Sequence, residues 1–353
     1  MIKTSPETIF KNPRFANAVL GKPQAVPPIW FMRQAGRYHS HYRKLKEKHS
    51  FLELCKNPEL AAEVALGPIQ EFGFDVSILF SDLLFPLEAL GMGLDYNPGP
   101  ILSYHVKSEK DINGFLNLEE AVSKLEFQKK ALELTREILP KETSLIGFLG
   151  GPWTLYTYAV SGKHDGNLSS AKSNPNLIRS FFDKIVPLLK ENLRLQIEGG
   201  AELVMLFDTA AGDLDPIHFE EYVRKPLEEL SSLYPGRLGY YAKPTTHDQL
   251  EGLKTIEGLA GIGIDHRFSL EKSLKNQISK GFLQGNFDQS LLFLPEDELK
   301  KVLKKYIAPI KELSLEERKG WVSGLGHGVL QGTPEKNVLL MIHFIREEFY
   351  AHS

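Results

Sequence analysis

The chain is poor in what many functional classes need. It has 353 residues and one cysteine, Cys55. A single thiol excludes an intrachain disulfide, and with it any zinc or iron–sulfur site built on several thiolates. Cys55 lies in FLELCKNPEL, a helical pattern, and reads as packing. No apolar run reaches the roughly 18 residues that a membrane helix needs. MIKTSPETIF carries no basic segment followed by an apolar core, so no signal peptide is expected and the chain reads as a soluble, cytoplasmic protein. Charge of one sign is also missing. Lys and Arg total 42 against 45 Asp and Glu, a formal charge of −3. Such balance gives no chain-wide attraction to nucleic acid or to an anionic membrane, so anions would be bound only at a local site.

Metal and nucleophile signatures are absent as well. There is no HExxH, EF-hand or Cys/His cluster, and His39 and His41 stand two apart, on different faces of any helix. No nucleophile elbow or Ser-His-Asp pattern appears. The site is expected to work without metal or organic cofactor.

What is present is a regular alternation. Short apolar runs recur at 28–32, 76–80, 144–150, 201–208, 236–242, 258–265, 281–287 and 320–326. Few alternate apolar with polar residues, which suits parallel strands covered on both faces. Amphipathic stretches lie between them: residues 118–139 set Ala121, Leu125, Leu132 and Ile138 roughly on one face. No Pro-, Gly- or Ser-rich linker divides the chain. Eight strands alternating with helices predict a single-domain (β/α)8 TIM barrel over 1–353, with an inserted hairpin near 91–107. A doubly wound open sheet is the alternative.

In a barrel, the C-terminal ends of the strands carry the chemistry. The first run, PIWFM, breaks directly into RQAGR, placing Arg33 and Arg37 there. Arg offers a fixed fork of donors and a permanent charge, suited to carboxylate or phosphate, and Gly36 between them allows close backbone approach. The pair predicts a polyanionic substrate, against the plainer reading of two surface arginines. The second run delivers Ser81 and Asp82; the third is followed by Tyr156 and Tyr158, the fourth ends at Asp208 and Thr209, and the eighth leads to His327 within GLGHG. Asp82, between apolar runs, must be paired, hydrogen-bonded or protonated, because an unpaired buried charge costs several kcal/mol. It is either a helix N-cap or an anion aimed at N–H donors or at a developing cation. Tyr158 could equally be core packing. His327 between glycines is less easily core, and GLGHGVLQG lacks both the GxGxxG spacing and a P-loop lysine.

PIWFMRQAGRY, ILFSDLLFPLEALGMGLDY, GGPWTLYTYAVSG, LFDTAAG, LQGNFD and GLGHGVLQGTPEKNV together resemble, in order and over almost the whole chain, the uroporphyrinogen decarboxylase family. The resemblance implies a (β/α)8 barrel, usually a homodimer. It implies cofactor-free removal of the four acetate carboxyls of uroporphyrinogen III, giving coproporphyrinogen III and CO2. By resemblance Arg33, Gln34, Ala35, Gly36 and Arg37 form the segment that holds substrate carboxylates, with Arg33 and Arg37 also in the catalytic set. Asp82 corresponds to the aspartate that faces the four pyrrole N–H groups. Tyr158, Thr209 and His327 correspond to further contacts around the acetate and propionate groups, Tyr158 and His327 with a catalytic share. The proton donor stays open between Arg33, water and a substrate carboxyl held by Arg37. Three departures stand out: His266 where members usually have Trp, Gly324 where Asn often precedes LGHG, and AKPTTH after the fifth run in place of a lysine-glycine pair. Two rivals remain. One is a superfamily methyltransferase, which needs a zinc site of one histidine and two cysteines that Cys55 alone cannot supply. The other is a catalytically silent tetrapyrrole-binding protein.

Overall fold

The computed structural model describes residues 9–97, 99–163 and 168–350. The N-terminal stretch on which the signal-peptide expectation rests lies mostly outside them. Seven of the eight apolar runs form strands of one parallel sheet: β1 (Val76–Ile78), β4 (Ser144–Gly150), β5 (Leu203–Phe207), β6 (Leu238–Tyr241), β7 (Leu259–Gly263), β8 (Phe282–Phe287) and β9 (Trp321–Leu325), hydrogen-bonded in that order. Between β1 and β4 the chain turns back on itself, and β2 (Leu94–Tyr96) pairs antiparallel with β3 (Pro100–Leu102). Pro98, between them in the sequence, lies outside the described residues.

The first run is not a regular strand, and this corrects the expectation of eight equal ones. Residues 28–32 contribute a single parallel bridge, Ile29 to Ser323. The segment nevertheless closes the barrel by bonding to both sheet edges. Ser323 N–H donates to the Pro28 carbonyl at 2.9 Å, and Asp75 N–H donates to the Ile29 carbonyl at 3.0 Å. The physical reason lies in the sequence. Pro28 has no N–H to donate. The Ile29 N–H goes to the Asp75 carboxylate at 2.8 Å, and the Phe31 N–H goes to the Gln34 side chain at 3.2 Å. Side chains thus stand where a ladder would have used backbone. The sheet is a (β/α)8 barrel with one strand reduced to a seam.

The inside of the barrel is packed. Trp30, Val76, Ile146, Met205, Phe282 and Val322 fill it, and the helix Pro13–Val19 lays Phe15 and Val19 against its lower end, with Phe10 alongside. A second apolar layer lies between the strands and the outer helices. Small residues make room inside. An added β-carbon at Gly263 would stand 2.9 Å from Gln284 Oε1, and one at Gly324 would stand 2.2 Å from Gln284 Nε2. The departure at Gly324 therefore has a packing cause in this chain: Gln284 occupies the space.

The amphipathic stretch 118–139 is two helices, Leu118–Ser123 and Glu126–Ile138, broken at Leu125. Ala121, Leu125 and Leu132 are buried as the spacing predicts, whereas Ile138, at the last turn, is 46% exposed. Among the described residues no helix is long and apolar enough to cross a membrane.

Candidate active site

A cavity opens at the C-terminal ends of the strands, enclosing about 190 Å³, or about 820 Å³ counted with its mouth. Phe80, Phe148, Phe207 and Tyr241 give it an aromatic floor and walls, with Met32 and Ile78 below. Arg33, Ser81, Asp82, Thr209 and His327 add polar groups to that apolar surface. A mainly apolar cleft with a few converging polar groups is the usual form of a small-molecule site.

Asp82 is placed by a local turn. Its Oδ1 accepts the Leu84 N–H at 2.9 Å, just ahead of the short helix Phe85–Leu87. Asp82 is thus not the N-cap of that helix, which is Leu84 without a side-chain cap, and the turn uses one carboxylate oxygen. Burial pushes the Asp82 pKa up; the Leu84 N–H, the Tyr96 hydroxyl and the Arg33 guanidinium each pull it back down. Tyr96 comes from β2, so the inserted hairpin contributes to this corner of the site. Ser81 accepts a hydrogen bond from Gln128 at 3.0 Å and faces the same cavity.

Arg33 turns the chain into the mouth. Its φ of +60° is a left-handed conformation that non-glycine residues seldom adopt. The aliphatic stem lies across Gly328, where an added β-carbon would stand 2.5 Å from Arg33 Cδ. The glycine after His327 is therefore required by the arginine. The one before it answers to another neighbour: a β-carbon on Gly326 would come 2.4 Å from the His266 backbone nitrogen. His266 itself exposes its side chain, so the residue in the usual Trp position packs here through its backbone.

The Tyr241 hydroxyl donates to the Gly326 carbonyl at 2.7 Å and lies 3.3 Å from His327 Nδ1, with the two rings 11° from parallel. Lys243, two residues on, feels Arg33, Asp265 and Arg267; burial and the neighbouring cations lower its pKa while Asp265 opposes them. Asp265 binds Arg267 through both oxygens, one of them accepting Arg267 Nε at 2.9 Å. The mouth is accordingly rich in cationic groups, as a polyanion would require.

Of the residues singled out from sequence, Arg33, Ala35, Asp82, Thr209 and His327 line the cavity. Gln34, Gly36, Arg37 and Tyr158 are outside its lining. The Gln34 side chain is buried in the seam, donating to the Val76 carbonyl at 2.9 Å. Gly36 sits under the Arg33 carbonyl, where a β-carbon would stand 3.2 Å away. Arg37 is exposed on the same loop. Tyr158 is half-buried on the helix Pro152–Ser161 against the outer apolar layer. Tyr156 is core, packed on Trp153 and Phe181.

Asp208 faces away from the cavity. Its Oδ1 accepts the Thr154 N–H at 2.8 Å, capping the helix Pro152–Ser161, whose own N-cap is the side-chain-free Gly151. Tyr96, Tyr241 and Lys243 were missed from sequence. Tyr241 ends the strand formed by the fifth apolar run and Lys243 follows just beyond that run, and the rule that strand ends carry chemistry points to them. Tyr96 reaches the site from the hairpin, for which the barrel pattern holds no signal. Among the described residues no group of three or more His, Cys, Asp and Glu side chains comes together to hold a metal.

The model of the family described as uroporphyrinogen decarboxylase (URO-D) matches residues 10–348. The uroporphyrinogen decarboxylase of Geotalea daltonii is 34% identical over 347 residues, covering 95% of this chain and 98% of that protein. That of Citrifermentans bemidjiense is 34% identical over 341 residues, covering 94% and 97%. A solved methyltransferase from Methanosarcina mazei superposes with a TM-score of 0.76 at 20% identity, covering 97% of this chain and 99% of that one, a likeness of fold. With a family match across nearly its full length and relatives at this identity, the chain belongs to the uroporphyrinogen decarboxylase family.

Proposed function

We propose that this chain decarboxylates the four acetate side chains of uroporphyrinogen III, giving coproporphyrinogen III and four CO2. The observation that carries the proposal is Asp82: a carboxylate at the edge of an aromatic cavity, one oxygen already held, with Arg33 at the same mouth. The pyrrole rings of the macrocycle suit the aromatic floor, and its carboxylates suit the cationic rim.

Direct loss of CO2 from an acetate would leave an unstabilised carbanion. Protonation of the pyrrole on a ring carbon first makes the ring cationic. The bond from the methylene to the carboxylate then breaks, and its electron pair enters the ring as an exocyclic double bond. A proton added to that methylene and the loss of the ring-carbon proton restore the pyrrole. Each carboxylate is thereby replaced by one hydrogen. The ring is its own electron sink, so the step calls for no cofactor.

Asp82 stabilises the ring cation in this scheme. Two unit charges ~4 Å apart at an effective dielectric of ~20 attract by about 4 kcal/mol, which is about three decades of rate. Positioning and exclusion of water supply the rest. Arg33 and Arg37 hold acetate and propionate carboxylates, Ala35 and Gly36 keep their loop narrow, and Gln34 anchors it. Thr209 and His327 complete the rim, and the family resemblance adds a substrate contact at Tyr158, which stands outside the lining. A guanidinium holds its proton too firmly to be a good acid, which favours water or a substrate carboxyl over Arg33 as proton donor. A cytoplasmic homodimer, acting on neither membrane nor nucleic acid, is the setting that the family resemblance implies.

The test is anaerobic incubation of purified, metal-free protein with uroporphyrinogen III, with the porphyrins oxidised and separated at intervals. Seven-, six- and five-carboxyl intermediates followed by coproporphyrin are expected. Uroporphyrinogen that is bound but unchanged would instead make the chain a tetrapyrrole-binding protein.

A further inference from the structure

Ser81 lines the cavity beside Asp82 and is only half-buried, and the family resemblance gives its hydroxyl no role. A serine hydroxyl has one hydrogen to donate and lone pairs that accept. What it offers a ligand therefore depends on what the protein already asks of it. For Ser81 that is decided further back, at a backbone carbonyl.

The Phe148 carbonyl can only accept. It takes a hydrogen from Gln196 Nε2 at 2.8 Å, which fixes which end of that amide is nitrogen. The other hydrogen on Gln196 Nε2 lies between Asn192 Oδ1 and Gln128 Oε1, each at 3.3 Å. Gln128 must then turn its oxygen to Gln196, because a reversed amide would set N–H against N–H. Its nitrogen is left for Ser81 Oγ, 3.0 Å away. Gln128, Asn192 and Gln196 are all buried, so solvent cannot relax this order. Ser81 Oγ thus accepts from Gln128, and among the described residues its own hydrogen meets no acceptor.

We propose that Ser81 is a substrate-binding residue whose hydroxyl donates to a carboxylate of the ligand, with Gln128 and Gln196 as the positioning residues that fix its polarity. An ionised Asp82 can only accept, so it answers N–H groups and not carboxylates. Ser81 supplies the donor that its neighbour lacks. The adjacent pair then reads both kinds of polar group on a molecule that carries pyrrole N–H groups and carboxylates. The inference rests on the proposed function for the identity of that ligand.

The test compares wild type, Ser81→Ala, Gln128→Glu and the double variant as full-length proteins. The readout is kcat/KM for uroporphyrinogen III, or its Kd by anaerobic calorimetry where it is bound without turnover. Ser81→Ala should lower kcat/KM, or raise Kd, by roughly tenfold or more, as the loss of a hydrogen bond to a charged acceptor does. Gln128→Glu leaves the cavity lining in place but turns an acceptor to Ser81, drawing its hydrogen away from the ligand, and should lose about as much. In the double variant the Glu should cost nothing further, because the hydroxyl it acts through is gone. A purely structural role for Gln128 would lower stability without that coupling. Unchanged Ser81→Ala overturns the proposal, even should Gln128→Glu fail to fold. So does a Gln128→Glu loss that persists in full without Ser81, since the added charge would then be its cause. Binding without turnover, with the same pattern in Kd, would refute decarboxylation and leave the Ser81 assignment standing. A wild type that neither binds nor converts uroporphyrinogen III overturns both.

Discussion

The side-chain amide of Gln34 joins the Phe31 N–H to the Val76 carbonyl, at 3.2 Å and 2.9 Å, and so stitches the barrel seam immediately below the two arginines. Its backbone carbonyl also accepts the Tyr38 hydroxyl at 2.8 Å. Gln34→Ala would leave two buried backbone groups without partners, at about 1–3 kcal/mol each. A fall of about 2–4 kcal/mol in unfolding free energy by urea titration is expected, with KM for the substrate raised because the arginine loop loses its anchor. Gln34→Glu keeps the acceptor but not the donor, and should fall between the two. An Ala variant as stable as the wild type would show that the seam does not depend on this amide.

Asp82→Asn preserves the shape of the side chain and its acceptor for the Leu84 N–H while removing the charge. The fold should survive, with an unchanged urea midpoint. Turnover should drop by about three decades, the equivalent of the ~4 kcal/mol assigned to the ion–cation attraction. Near-wild-type kcat would remove the cation-stabilising role.

Most of the barrel was legible because strand period and helix period leave different marks in a sequence. The exceptions share a cause: side chains doing what backbone usually does. PIWFM has the composition of a strand, but Asp75 and Gln34 take the N–H groups of Ile29 and Phe31, and only a bridge remains. Asp208 looked like a site residue because it ends a strand, and it is instead the cap that Gly151 cannot provide. The cavity's cationic rim was legible at Arg33, where an apolar run stops abruptly. Tyr96 was not, since its place beside Asp82 depends on how the hairpin folds back.

Asp208 should make stability depend on pH. Burial raises its pKa to about 6, against about 3.9 for an unfolded aspartate, with the Thr154 hydroxyl and N–H opposing. The folded state therefore binds this proton more tightly than the unfolded chain does. The group's contribution is fully present below about pH 3.9 and is lost as pH rises through about 6. Measured against Asp208→Asn, which has no such titration, the wild type should lose roughly 2 kcal/mol between pH 4 and pH 7. Parallel stability curves for the two proteins would place the Asp208 titration elsewhere.

Arg37 stands on the loop that Gln34 anchors, exposed and outside the cavity lining. If it reaches over the mouth to hold a substrate acetate, Arg37→Ala should raise KM and lower kcat together, leaving the unfolding midpoint unchanged. Loss of one charge-assisted carboxylate contact is worth about 1.5–3 kcal/mol, or roughly one to two decades in kcat/KM. Unchanged kinetics would exclude Arg37 from binding.

Gly324 and Gln284 form a matched pair inside the barrel. A β-carbon at 324 would stand 2.2 Å from Gln284 Nε2 and 3.0 Å from the Trp30 carbonyl oxygen. Gly324→Asn, which restores the residue common in the family, should therefore destabilise this protein, by about 1–3 kcal/mol as overpacked cores do. Gln284→Ala alone should also destabilise it, by opening a cavity. Combined, the two changes relieve one another, because each supplies or vacates the volume the other needs. The double variant should then be more stable than the sum of the single losses predicts, by more than about 0.5 kcal/mol. Strict additivity would mean that Gln284 moves aside without cost, and the departure at Gly324 would then need a cause other than packing.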